Sequence, residues 1–164
     1  MSVNRFLPHV LVLPEDDANR QLAIGFQLNT ASIRQMQVLE VAGEWHDVLN
    51  RFRSDHINGM EKHDNRFMVL LIDFDGKSDR LAKAKAEIPD HLIDRVFILG
   101  AWTTPEALRQ ASGGTYETIG STLAQECRDD SNTVWDRDLL RHNVGELNRL
   151  RLHVHPILFN VANN

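Results

Sequence analysis

Short apolar runs alternate with longer amphipathic stretches along this chain. His9-Val10-Leu11-Val12-Leu13 is apolar and stops at Pro14, which predicts a strand buried on both faces. Residues 15–26 open acidic and then place Leu22 and Phe26 at helical spacing, predicting a helix with Asp16 or Asp17 near its N-cap. Residues 34–41 alternate polar and apolar side chains until Gly43 breaks the pattern; that period suits a more exposed strand nearer a sheet edge. Residues 44–52 return to helical spacing. Residues 66–72 are the most apolar run in the chain and predict a central strand of a parallel sheet.

Residues 79–87 are good helix formers. Residues 95–100 predict a fourth strand. Thr104-Pro105-Glu106 resembles a helix start with Pro at the first helical position. Ser112-Gly113-Gly114 predicts a turn and residues 116–128 a helix. Residues 135–153 predict a longer helix, with Leu139, Leu140, Val144, Leu147 and Leu150 as its stripe. Residues 156–159 suit a last short strand or a packed tail.

The order strand–helix, repeated, predicts an α/β fold: a three-layer sandwich around a mainly parallel, Rossmann-like sheet of about four strands. The expected organisation is one domain over residues 1–164. Residues 8–100 form its α/β core, and residues 101–164 a mostly helical C-terminal extension packed on it. Apolar residues make up 42% of the 164 and charged residues 25%, enough to bury a core and to exclude disorder throughout. The net charge of −5 argues against a generally basic nucleic-acid binder while leaving room for a local positive surface. The one cysteine, Cys127, excludes an internal disulfide, fits a reducing compartment, and is expected to be a buried thiol. The N-terminus carries no signal-peptide pattern, and no run approaches the ~20 apolar residues of a membrane helix. A cytoplasmic protein that does not enter a membrane is the expectation.

In parallel sheets, ligands bind beyond the carboxyl ends of the strands. Two acidic clusters fall there: Glu15-Asp16-Asp17 after the first strand, and Asp73-Phe74-Asp75 after the third. If those strands are neighbours, the acids crowd into one crevice. Unpaired like charges repel and shift one another's pKa, and a divalent cation relieves this. Hard oxygen ligands suit Mg2+ or Mn2+. An extended Asp73-Phe74-Asp75 would aim both carboxylates the same way and Phe74 into the core. The expected metal set is Glu15, Asp73 and Asp75, with Asp16 and Asp17 as rivals for the first position.

Glutamate after strand one and Asp-x-Asp after strand three resemble the Toprim domain, the metal-binding module of type IA and II topoisomerases, bacterial primases, RecR-type recombination mediators and OLD-family nucleases. The resemblance covers about residues 8–100, and Gly43 sits where many Toprim domains carry a glycine. It implies Mg2+-dependent phosphodiester chemistry on nucleic acid with Glu15, Asp73 and Asp75 as catalytic residues. It also implies a partner ATPase, because small stand-alone relatives occur beside one. Asp16-Asp17 replaces the glycine that often follows the family's glutamate. Tyr116 stands in no recognisable nucleophile context, so a nuclease is expected rather than a strand-passing enzyme. Lys77, just past the Asp-x-Asp, is the expected phosphate contact.

Leu13 to Leu22 also resembles the start of a response-regulator receiver domain. That resemblance implies Mg2+ on Glu15, Asp16 and Asp17, phosphate accepted by Asp73, and Thr103 or Thr104 as switch residue. No lysine stands where receivers carry one after a fifth strand. The Asp-x-Asp resembles that of HAD phosphatases more weakly, since theirs follows the first strand. A non-catalytic interaction module and an oligomer are further expectations. His46, His56 and His63 are expected at the surface. His153 and His155 are expected near a helix end, and Trp45, Trp102 and Trp135 as core or interface anchors. Arg80, Lys83 and Lys85 suit a solvated face.

Overall fold

The computed structural model describes residues 2–159. Four strands, β1 (His9–Pro14), β2 (Met36–Val38), β3 (Arg66–Leu71) and β4 (Val96–Leu99), form one all-parallel sheet in the order β2-β1-β3-β4. The fold is α/β, as the alternation predicts. Strand residues divide by parity. Val10, Val12, Val69, Phe97 and Leu99 face α1 (Asp17–Gln27), α5 (Pro105–Ser112), α6 (Tyr116–Asp129) and α7 (Val144–Phe159). Leu11, Leu13, Met68, Leu70 and Ile98 face α2 (Trp45–Arg51), α3 (Ile57–Lys62) and α4 (Arg80–Ala86). A single turn of π-helix, Phe52–His56, joins α2 to α3.

α1 and α6 pack backbone against backbone. A Cβ on Gly25 would collide with the carbonyl of Glu117, and one on Gly120 with that of Leu22. Cys127 lies buried in α6, where burial pushes its thiol up to about 11. That thiol stays protonated and is unsuited to nucleophilic attack.

Three expectations need correction. The alternating run 34–41 forms a strand only over Met36–Val38. Beyond it the chain still follows β1, with Leu39 N donating to Val12 O and Ala42 N to Pro14 O, but as an irregular segment. No single helix spans 135–153. α6 ends at Asp130 in the left-handed conformation, and the buried Glu126 carboxylate accepts the backbone N–H groups of Val134 and Trp135. This folds Trp135 back onto α6, and the Trp135 indole N–H donates to Leu123 O. The last helix starts only at Val144, which is exposed rather than on the apolar stripe. Residues 156–159 are its final turn, with Pro156 inside the helix, rather than a strand.

The outer edge of β4 is closed by side chains. Asn143 Oδ1 accepts from Gly100 N at 3.1 Å, Glu146 Oε1 from Ile98 N at 3.0 Å, and Arg149 donates to Val96 O. Glu146 is buried and balanced by Lys85 at 2.9 Å and Arg149 at 2.6 Å. Among the described residues no helix is long and apolar enough to cross a membrane.

Candidate metal centre

β1 and β3 are neighbours in register, Pro14 opposite Leu71, so the residues that follow them meet. The ladder continues past the strands: Glu15 N donates to Leu71 O, Ile72 N to Leu99 O and Phe74 N to Ala101 O. Across this seam Asp73 N donates to Glu15 Oε1 at 3.0 Å. One carboxylate oxygen from each of Glu15, Asp16 and Asp73 lies within 4.8 Å of the others. Asp16 also caps α1, accepting from Asn19 N at 2.9 Å. The positive end of the α1 dipole therefore lies beside these acids.

Asn19, fully buried in the first turn of α1, binds the cluster together. Its Nδ2 donates to Asp16 Oδ1 at 3.0 Å and to Asp73 Oδ1 at 2.8 Å. Its Oδ1 is buried without a hydrogen-bond partner. Asn19 lies outside the acidic set that the sequence pattern predicts. An Asn three positions after an acidic N-cap, on the core side of a helix, is the signal that could have found it.

Burial pushes Glu15 up to about 8. The N–H of Asp73 opposes the rise, and the charges of Asp73, Asp16 and Asp75 add to it. Burial also raises Asp73 to about 6, against the Asn19 hydrogen bond and with help from Asp16, Asp75 and Glu106. Three carboxylates held this closely are a donor set for a hard divalent cation, so the residues fit Mg2+ or Mn2+.

The remaining expected residues stand apart. Asp75 is not extended: its φ is +50° and Gly76 follows at +69°. The chain turns here, so the carboxylates of Asp73 and Asp75 do not converge on one point, although Phe74 is buried as expected. Asp75 instead pairs with the buried Arg80, whose Nη1 reaches Asp75 Oδ2 at 2.6 Å and Asp73 O at 2.8 Å. The Arg80 guanidinium lies 4.4 Å from the centre of the Trp45 ring, so Arg80 belongs to this turn rather than to a solvated face. Asp17 is exposed on α1 and pairs with Arg20 and Gln21.

Lys77 is exposed just beyond the turn. Lys83 pairs with Asp79. His142 packs edge-on against Phe74, 4.6 Å between ring centres, and against Trp102 at 5.1 Å. No protein-family model, curated protein or solved structure matches the chain.

Proposed function

We propose that the chain is a divalent-cation-dependent phosphodiester enzyme of the nuclease type, with Mg2+ or Mn2+ held by Glu15, Asp16 and Asp73. The observation that carries this reading is the convergence of their three carboxylate oxygens within 4.8 Å at the ends of adjacent parallel strands. The resemblance of the Glu15 and Asp73-Phe74-Asp75 pattern to Toprim domains points the same way. When bound, the cation polarises a phosphoryl oxygen and offsets charge on the attacking and leaving oxygens.

The chain's own residues do the rest. Asn19 fixes Asp16 and Asp73. Arg80 holds the turn and keeps Asp75 beside the site as a charge rather than a ligand. Until a cation binds, the Glu15 carboxyl, pushed up to about 8 by burial, holds a proton at neutral pH and gives it up on taking the ion. Lys77, exposed just beyond the turn and in no ion pair among the described residues, would meet a flanking phosphate. The substrate class is nucleic acid, and a partner ATPase is the proposed companion, by analogy with small Toprim proteins.

A receiver-like phospho-acceptor is the second reading. The order β2-β1-β3-β4 matches the first four strands of the flavodoxin-like order that receivers share. Against it, the place of a fifth strand beside β4 is taken by Asn143, Glu146 and Arg149. Plasmid nicking in Mg2+ or Mn2+, lost in Glu15→Gln, supports the nuclease. A beryllofluoride-induced change that needs Asp73, without nicking, replaces it with the receiver. Neither response leaves an interaction module.

A further inference from the structure

The opposite end of the same two strands is basic. We propose that it binds a phosphate-type oxyanion, with Arg66 as the principal ligand. This site is independent of the acidic centre and of the function proposed for it.

His9 opens β1 and Arg66 opens β3, and the two are register partners. The Arg66 Nε–H donates to His9 Nε2 at 2.9 Å, and the His9 Nδ1–H donates to Leu7 O at 2.7 Å. His9 is fully buried, and this tautomer makes it a neutral acceptor. It therefore orients the guanidinium without neutralising it. The Arg66 fork lies over Gly59 of α3, where a Cβ would displace Nη1.

Three nearby backbone carbonyls are already engaged. Arg95 donates to the carbonyls of Met60, His63 and Arg66. Among the described residues no carboxylate is in ion-pair range of Arg66, and neither of its terminal nitrogens donates to an acceptor. Asp55 accepts from Ser54, Glu61 pairs with His91, and Asp64 is exposed in no ion pair.

Further cations crowd the same place. Besides burial, the charge of Arg5 lowers the pKa of Arg66. Arg66, Arg5 and Lys62 all bear on His63, and Arg66 and Arg51 on His56, where Asp55 opposes them. Half-buried cations are ordinarily paired. An oriented guanidinium fork among unpaired cations, in a protein of net charge −5, matches the geometry and charge of a phosphate.

The test is calorimetry at low ionic strength with EDTA, so that no cation bridges a ligand to the acidic site. One arm uses inorganic phosphate and the other a short 5′-phosphorylated oligonucleotide. Saturable binding is expected in the native chain and in Glu15→Gln. It should weaken by roughly tenfold or more in Arg66→Met, the loss of a charge-assisted pair, and less in Arg66→Lys. Binding of the oligonucleotide alone assigns the site to a nucleic-acid backbone; binding of inorganic phosphate assigns it to the free ion. No binding in either arm, or equal binding by native and Arg66→Met, overturns the proposal. Should Arg66→Met fail to fold, the exposed Arg5→Ala variant decides the matter: weaker binding supports the site, and unchanged binding rejects it.

Discussion

Asn143 pairs with Gly100 as a neighbouring strand would. Its Oδ1 accepts the Gly100 N–H at 3.1 Å and its Nδ2 donates to the Gly100 carbonyl at 3.0 Å. Glu146 and Arg149 repeat the substitution on Ile98 and Val96. Three side chains at i, i+3 and i+6 thus satisfy an edge that parallel sheets usually extend or cover. Asn143→Ala would leave both Gly100 groups buried and unpaired. The expected cost is about 3 kcal/mol, seen as a lower urea midpoint. Asn148→Ala, on the exposed side of α7, should change stability by less than about 0.5 kcal/mol. Equal effects would show that the edge pairing contributes nothing particular.

Asn19 should matter to cation affinity more than its distance from any reacting group suggests. It holds Asp16 and Asp73 through one amide, and residues that orient ligands in this way typically affect metal affinity by about 10–100-fold. Titration of Asn19→Ala with Mn2+ should show a loss in that range, with the fold retained by circular dichroism. Native-like affinity would mean that the amide serves only the N-terminus of α1.

Strands β1, β3 and β4 were legible because each is a continuous apolar run, but the meeting of Glu15 with Asp73 was legible only as a condition, since apolar runs do not say that β1 and β3 are neighbours. The details of the site were not. Asp73-Phe74-Asp75 looks extended on paper, but Gly76 and the Arg80 pairing turn Asp75 into the left-handed conformation. A buried arginine seven residues past Asp73 reads as part of a solvated face until the Trp45 ring is placed beneath it. Likewise, the stripe in 135–153 carries helical spacing across a segment whose backbone is captured by the Glu126 carboxylate. Such a side-chain-to-backbone contact leaves no trace in periodicity. His9 read as the first residue of a strand, and nothing in its sequence position announced an acceptor for Arg66.

Stability should depend on pH in a way that a cation reverses. The ordinary value of 4.5 for Glu15 rises to about 8 in the folded chain, and 3.8 for Asp73 rises to about 6. The unfolded chain therefore releases these protons more readily. Their contribution is full below the unfolded values and is lost as pH rises through the folded ones, Asp73 first and Glu15 last. In EDTA, the urea midpoint should fall between about pH 4 and 8, the span of the two rises. Glu15→Gln should flatten the upper part of that fall. Mg2+ should restore the midpoint and release protons on binding, measurable as a buffer-dependent heat. A midpoint that climbs through this range in EDTA would contradict the crowding of the two acids.

Replacing glycine by alanine should act in opposite senses at two helical positions. In a helix, alanine is ordinarily favoured over glycine by about 1 kcal/mol. At Gly145 nothing lies near an added Cβ, so Gly145→Ala should stabilise, by at most that amount. At Gly120 the added methyl meets the Leu22 carbonyl and the Phe26 N–H of α1. Backbone cannot give way as a side-chain tip can, so α1 and α6 must separate along their closest contact. Gly120→Ala should destabilise by about 1–3 kcal/mol despite the helix preference. Because α1 carries Asp16 and Asn19, the same change should also weaken Mn2+ binding, while Gly145→Ala leaves it unaltered. Thermal melts and cation titrations on the two variants measure both effects. A stabilised Gly120→Ala would mean that the helices do not approach as closely as their glycines permit.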